Sequence, residues 1–530
     1  MSGVIAAGGP ETAVSGATIL RQGGNAVDAA VAAAFASFVA ETGVVHLGGS
    51  GIAQIYDPRT GQSVVYDFFS NMPGLGRDGL PAQMDFAEVM IDFGATTQRF
   101  HLGRASVAVA GNIAGLCQMA ADFGRLPLAK LLQPAIQLAR DGVAIHPFQA
   151  DTCDLLTPLY THTAGMRAIF ARNGRIIQPH EHLHIPHLAE TLEALAEEGA
   201  DLARNGRLAQ AILADQTEHG GLLTAEDLAA YQVRQLQPIR LPYREYEILL
   251  PPPSSTGGVL TAFALKLLAA FDVAQMVHGS AAHLQLLYEV MSAANRARRD
   301  WDAWQDALPA AEAMSHFLAE AYVAGYVQEV RAALAGKRPS PSAPEPIGPG
   351  NTSHLSVIDG DGLAVGLTTT AGESAGYVVP GTGYIPNNIC GEADLHPAGF
   401  HTRPAGQRIP TMMTPTVVRH NGQTRLVLGS GGSERIRSAI LQVLNNLLDF
   451  RMKLDEAVNV RRVHVENGVL QLEAGYDAAA ADELESWGYA VNRWANRSIY
   501  FGGAHSVSRT PAGRLVAAGD NRRGGSTAVG

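Results

Sequence analysis

Pro344-Glu345-Pro346-Ile347-Gly348-Pro349-Gly350-Asn351-Thr352-Ser353-His354-Leu355-Ser356-Val357-Ile358-Asp359 is the stretch on which the reading of this 530-residue chain turns. Its first half closes a segment, Gly336 to Gly350, that holds five prolines and, Ile347 apart, no large apolar residue. Such a segment cannot bury a core of its own and is expected to be an exposed, mobile linker. Directly after it the pattern changes to strands. Ser353 to Asp359 and Leu363 to Thr370 flank the turn Gly360-Asp361-Gly362. Thr414 to His420 and Thr424 to Leu428 flank Asn421-Gly422, a strong hairpin signal. A threonine at the linker–strand boundary has a chemical use. Its hydroxyl can attack the preceding carbonyl, move the acyl group from nitrogen to oxygen, and release a new chain start at itself. The freed α-amine, with an ordinary pKa of about 7.7–8.0, is partly neutral at neutral pH and can serve as base for its own hydroxyl. On its own this signal is weak, because a Thr opening a strand after a loop is commonplace.

Working outward, Pro10-Glu11-Thr12 starts an amphipathic helix that ends near Gly23-Gly24. Asn25 reads as the cap of a second helix, Ala26 to Ala40, with Asp28 favourably placed in its first turn. That helix is Ala-rich on nearly every face and is expected to be buried. Ile52 to Tyr56 and Gln62 to Tyr66 read as a hairpin across Asp57-Pro58-Arg59-Thr60-Gly61. Residues from about 112 to 335 read as mostly helical, broken by an extended loop from Leu249 to Gly258. A helix from Glu434 to about Phe450 follows the second hairpin. Helices packed on antiparallel sheets define an α+β class, with a four-layer αββα sandwich as the expected architecture.

Composition narrows the function classes. A formal charge of −11 and the lack of a basic stripe argue against nucleic-acid or anionic-membrane partners. Three scattered cysteines (Cys117, Cys153 and Cys390) give no disulfide framework and fit a reducing compartment. Cys390 reads as a packing residue rather than a nucleophile. The start, Met1-Ser2-Gly3-Val4-Ile5, lacks the basic and apolar regions of a signal peptide, and Val27 to Ala40 is too short to span a bilayer. The expectation is a cytoplasmic protein with no membrane partner. His180, His182 and His184 would share one face of a strand and could bind zinc. Pro179 and Pro186 bracket them, however, so a solvated loop without metal is the reading adopted.

The chain as a whole resembles the γ-glutamyltranspeptidase family. The resemblance rests on Gly24-Asn25-Ala26-Val27-Asp28-Ala29-Ala30, Pro134-Ala135-Ile136-Gln137-Leu138-Ala139-Arg140-Asp141-Gly142, Leu223-Thr224-Ala225-Glu226-Asp227-Leu228 and the loop Pro251 to Gly258. Thr352 to Asp359, Asn387-Asn388, Pro415-Thr416 and Gly429-Ser430-Gly431-Gly432 then follow in the family's order. It implies the fold of an N-terminal-nucleophile hydrolase and cleavage between Asn351 and Thr352. The two products, 1–351 and 352–530, would form a heterodimer that pairs further in some settings, acting on a small-molecule amide without a cofactor. Thr352 matches the processed nucleophile and Thr370 the second Thr that orients it. Gly431 and Gly432 match the backbone donors of the oxyanion hole, with a one-residue offset that brings in Ser433. Glu392, Thr411 and Asn388 match substrate-binding positions.

The family pattern also breaks. In members that use glutathione, an Arg grips the substrate α-carboxylate where this chain has Phe69, and a two-Ser contact becomes Thr411-Met412. An aromatic ring cannot replace a bidentate guanidinium. Arg104 is the candidate substitute cation. The stretch from Glu392 to Thr411 is short, which leaves little chain for a lid and favours water as acceptor. The expected activity is therefore γ-glutamyl hydrolysis or transfer. The alternatives are hydrolysis of another small-acid amide such as oxamate, or a cephalosporin/glutaryl acylase-like reaction. The competing class is a non-catalytic scaffold relative; the presence of Thr352, Thr370 and the glycines argues against it.

Overall fold

The computed structural model describes residues 3–92, 97–343 and 351–530. Two antiparallel sheets carry the fold. The seven-stranded sheet runs, edge to edge, Arg234–Leu236, Gln62–Phe68, Ser50–Asp57, Ala364–Thr370, Ser353–Asp359, Gly3–Ala7 and Ser526–Val529. The six-stranded sheet runs Ile239–Tyr243, Tyr246–Leu250, Thr416–His420, Gln423–Gly431, Gly503–Arg509 and Leu515–Ala518.

The two-residue period of a strand sorts the side chains among three cores. Val4, Ile358 and Ala364 of the larger sheet meet Leu249, Val417, Val427 and Val507 of the smaller one. One residue out of step, Ile5, Val357, Val365 and Leu367 join the core built with the helices Pro10–Arg21 and Ala26–Ala40. On the smaller sheet Ile248, Leu250, Val418 and Leu428 turn the other way, toward Thr256–Ala269, Ala281–Ala307 and Arg435–Leu448.

The Ala26–Ala40 helix has the expected bounds, and all of its residues are buried. Its start is fixed by a reciprocal cap: the Asn25 side chain accepts from the Val27 and Asp28 amides, and Asp28 accepts from the Asn25 amide. Asp359, at the end of the 353–359 strand, accepts from the Ala26 amide at 3.1 Å. The cap thus ties the buried helix to the strand that begins next to Thr352.

Two expectations need correction. The region read as mostly helical also supplies Arg234–Leu236, Ile239–Tyr243 and Tyr246–Leu250, and the extended loop gives way to helix already at Thr256. Helical pattern on both sides hid these short strands: Arg234–Leu236 pairs at long range with Gln62–Phe68, and Ile239–Tyr243 and Tyr246–Leu250 form a hairpin with each other. The strand Gly3–Ala7 also went unread, because a strand buried on both faces shows no alternation. The expected linker is described only up to Ala343; its remainder, 344–350, lies outside the described residues.

Candidate active site

The ladder between Ser353–Asp359 and Ala364–Thr370 stops at the pair Ser353–Thr369. Beyond it, the main chain of Asn351 is held by side chains. Thr370 Oγ1 donates to the Asn351 carbonyl oxygen at 2.5 Å, and the Asn351 amide donates to Glu373 Oε1 at 3.0 Å. The Gly372 amide donates to Thr370 Oγ1 at 3.1 Å, which aims that hydroxyl's own proton at Asn351. Thr352, 6% exposed, opens onto a cavity of about 510 Å³.

The other sheet backs this junction. A Cβ on Gly431 would lie 2.0 Å from the Thr352 carbonyl oxygen, so only glycine lets the two sheets approach this closely here. Gly432 (φ +118°) and Ser433 (φ +48°) turn the chain into the helix Arg435–Leu448. Ser433 lines the cavity and donates from Oγ to Asp394 Oδ2 at 2.9 Å.

Three buried groups that sequence reading passed over support the junction. His354 lies between the sheets, bonded to Thr368 Oγ1 at 2.8 Å and Ser356 Oγ at 2.9 Å; burial pushes its pKa far down and keeps it neutral. Glu41 accepts from Ser353 Oγ and Thr12 Oγ1, each at 2.6 Å. Burial raises its pKa, while those two hydrogen bonds pull the other way. Glu373 is the third. His354 sits inside the quoted motif, so its position could have flagged it; Glu41 and Glu373 follow no motif.

Of the residues expected to bind substrate, Glu392, Thr411 and Ser433 line the cavity with Thr352 and Thr370. Asn388 does not. Its Oδ1 accepts from the Glu373 and Ser374 amides, and its Nδ2 donates to the His101 carbonyl. These bonds shape the loop behind the cavity wall, and Asn388 is not among the residues that line the cavity. Gly431 lies against the Thr352 carbonyl, and Gly432 leads from it to Ser433, which lines the cavity. Glu392 is 5% exposed, and its Oε1 has no hydrogen-bond partner. Burial drives its pKa well up, and the charges of Asp394 and Glu373 add to the effect. Gly372 (φ +65°) makes room for it, since a Cβ there would lie 2.0 Å from Glu392 Oε1.

The large apolar side chains of the lining include Phe69, Leu395, Met412, Met413 and Ile436, which share the cavity with the carboxyls of Asp302, Asp306, Asp394 and Glu434. Phe69 is 1% exposed and packs in the same core cluster as both methionines. Arg104 lies elsewhere, held by Asp215 at 3.0 Å and Asp85 at 3.2 Å over the ring of Tyr377, and it is not among the residues lining the cavity. The cations that do line the cavity are Arg298 and Arg403. Arg298 is bound to Glu434 at 2.6 Å. Burial raises the pKa of Glu434, but Arg298 and Arg437 outweigh that and hold it at about 2.

Residues of the stretch between Glu392 and Thr411, among them Leu395, Pro397, Thr402 and Arg403, form one wall of the cavity. This strap is docked along residues 70–72: the Met72 amide donates to the Gln407 carbonyl, Gly406 to the Met72 carbonyl and Ile409 to the Ser70 carbonyl. Arg408 locks it by donating to the Phe69 carbonyl, to Tyr231 Oη at 2.9 Å and to the Gln232 carbonyl at 2.7 Å. A short strap suffices because it binds by main-chain pairing.

Cys390 is buried against Met72 Sδ at 3.9 Å, and burial pushes its thiol far above the range in which a thiolate forms. Among the described residues there is no cluster of three or more His, Cys, Asp or Glu able to hold a metal ion, and no helix long and apolar enough to cross a membrane.

The sequence model of the family described as gamma-glutamyltranspeptidase matches residues 12–530. Among curated proteins, an acylase ACY 1 proenzyme of Pseudomonas sp. (strain SE83) is 34% identical, covering 97% of this chain and 91% of its own length. A glutathione hydrolase proenzyme of Escherichia coli (strain K12) is 30% identical over 96% of this chain and 88% of its own. The crystal structure of a cephalosporin acylase from Bacillus halodurans superimposes with a TM-score of 0.83 at 24% identity, covering 100% of this chain and 96% of that one, a likeness of fold.

Proposed function

We propose that this chain, which belongs to the γ-glutamyltranspeptidase family, is an autoprocessing amide hydrolase with Thr352 as its nucleophile. The stacked sheets with helices on their outer faces are then the four-layer αββα sandwich of N-terminal-nucleophile hydrolases. The observation that carries the reading is the Thr370 hydroxyl on the Asn351 carbonyl, beside a threonine that opens onto the cavity.

In the first reaction Thr352 Oγ adds to the Asn351 carbonyl carbon while Thr370 hydrogen-bonds the oxygen as it gains charge. The C–N bond breaks, the hydroxyl proton ends on the departing nitrogen, and an ester links Asn351 to Thr352. Water hydrolyses that ester, leaving an Asn351 carboxyl and a free Thr352 α-amine. Residues 1–351 and 352–530 stay together because both sheets draw strands from both segments. In the second reaction the α-amine takes the proton of its own hydroxyl, which attacks a substrate amide. The amide C–N bond breaks, the proton passes to the departing amine, and water hydrolyses the acyl ester to restore Thr352. The turn at Gly431, Gly432 and Ser433 supplies main-chain donors to the tetrahedral oxygen.

Substrate choice follows the apolar wall. Phe69 and Met412 stand where glutathione-using members have a carboxylate grip, which favours the acylase reading, an amide whose acyl group is largely apolar. A γ-glutamyl substrate is the second reading, favoured by Glu392, whose unpartnered Oε1 suits a substrate ammonium. The test is a panel of simple acyl amides, glutaryl amide, oxamate and a γ-glutamyl anilide, offered to the cleaved protein. Faster turnover of the acyl amides is expected; dominant γ-glutamyl activity would reverse the assignment.

A further inference from the structure

We infer that Glu373 is a positioning residue for chain cleavage, holding Asn351 by its amide while Thr370 holds it by its carbonyl; the inference rests on the autoprocessing reading. The strand pairing that would fix residues 351 and 352 ends at Ser353–Thr369, so neither residue is held by the ladder. Two side chains from the segment that follows Thr369 take over. Thr370 Oγ1 meets the Asn351 oxygen at 2.5 Å, and Glu373 Oε1 meets the Asn351 nitrogen at 3.0 Å. One grip on each side of the Asn351 α-carbon fixes the plane of the carbonyl that Thr352 Oγ must approach. With the carbonyl held alone, the residue would still rotate about it, and attack geometry is lost with small misplacements.

The cost of this carboxyl argues that it has a use. Glu373 is 2% exposed, and its Oε2 has no hydrogen-bond partner. A buried carboxyl with one oxygen unsatisfied destabilises a fold unless something else requires it. Its own placement is tightly fixed: the Glu373 amide donates to Asn388 Oδ1 at 2.7 Å, and Asn388 is anchored in turn on the His101 carbonyl. Asn388 sets the loop from which Glu373 reaches the scissile residue, and its part in the site is indirect.

The test is the rate at which freshly synthesised full-length chain separates into two, followed for the wild type, Glu373→Ala and Glu373→Gln. Glutamine keeps an acceptor oxygen in the same place, and burial pushes the Glu373 carboxyl toward the neutral form that glutamine resembles. Cleavage of Glu373→Ala is expected to be about 10- to 100-fold slower, the cost of leaving the buried Asn351 amide without its acceptor. Glu373→Gln is expected within about 3-fold of the wild type, with the two variants melting at similar temperatures. Wild-type cleavage by Glu373→Ala, or a Gln variant as slow as the Ala one, would overturn this inference alone. A wild-type chain that never cleaves would overturn it together with the reading beneath it.

Discussion

The junction at Asn351–Thr352 and the wall that faces it across the cavity are built on opposite plans. At the junction nearly every polar group is engaged: Thr370 and Glu373 on Asn351, Glu41 on Ser353, and His354 between Thr368 and Ser356. Elsewhere in the cavity lining Phe69, Met412 and Ile436 form an apolar patch, set among carboxyls that include Glu392, Asp302 and Asp306. A hydrogen-bonded junction holds reacting atoms in one geometry. A wall of side chains that makes few specific bonds can be re-cut for another acyl group without disturbing that geometry. On the proposed reading, this difference would let the cavity change its substrate while the junction at Thr352 stays as it is.

The largest effect should come from breaking the junction. Thr370→Val keeps the shape and removes the donor, and processing should slow by ~10²–10³, as for loss of one oxyanion donor. Thr370→Ser should recover most of the rate, which a purely packing role would not allow. The time course of chain separation reads both.

The recognition wall should respond differently. Phe69→Arg restores a cation in the apolar wall and should raise the preference for γ-glutamyl over acyl amides by ~10- to 100-fold, the worth of a charge-assisted pair. The ratio of kcat/KM values for the two substrates measures it, while the processing rate should change little. A variant that loses processing instead would show that wall and junction are coupled.

The smallest effect concerns pH. Glu434 joins Arg298 of the cavity to Arg437, and its pKa is held at about 2 against an ordinary 4.5. A carboxyl depressed in the folded state contributes stability that is fully present above about pH 4.5 and is lost as pH falls through about 2. Acid titration of the melting temperature should show this loss, and Glu434→Gln should lower stability at neutral pH while flattening the acid limb. Equal acid slopes for both proteins would remove Glu434 from the account.

Much of the junction was legible in the sequence, and much of its surroundings was not. Asn25 and Asp28 announced a helix start, and Asn421-Gly422 announced a hairpin, because caps and turns are local. Thr352 and Thr370 were legible through the family's motifs. Glu41 and Glu373 were not, since their partners Ser353 and Asn351 are fixed only when distant segments meet. The seat of the strap was not legible for a related reason: chain length bounds how far a segment can reach and says nothing of the main-chain pairing that docks it on Ser70 and Met72. Arg104 looked available until the fold placed Asp85 and Asp215 beside it.

The most direct test of the central claim is the intact mass of the purified, denatured protein, with sequencing of any new amino terminus, for the wild type and Thr352→Ala. The account predicts that the wild type separates into 1–351 and a second chain beginning Thr352-Ser353-His354. It predicts that Thr352→Ala stays whole and turns over ~10⁴-fold more slowly or worse. An uncleaved wild type, a chain that begins at another residue, or a Thr352→Ala protein that still cleaves would contradict it.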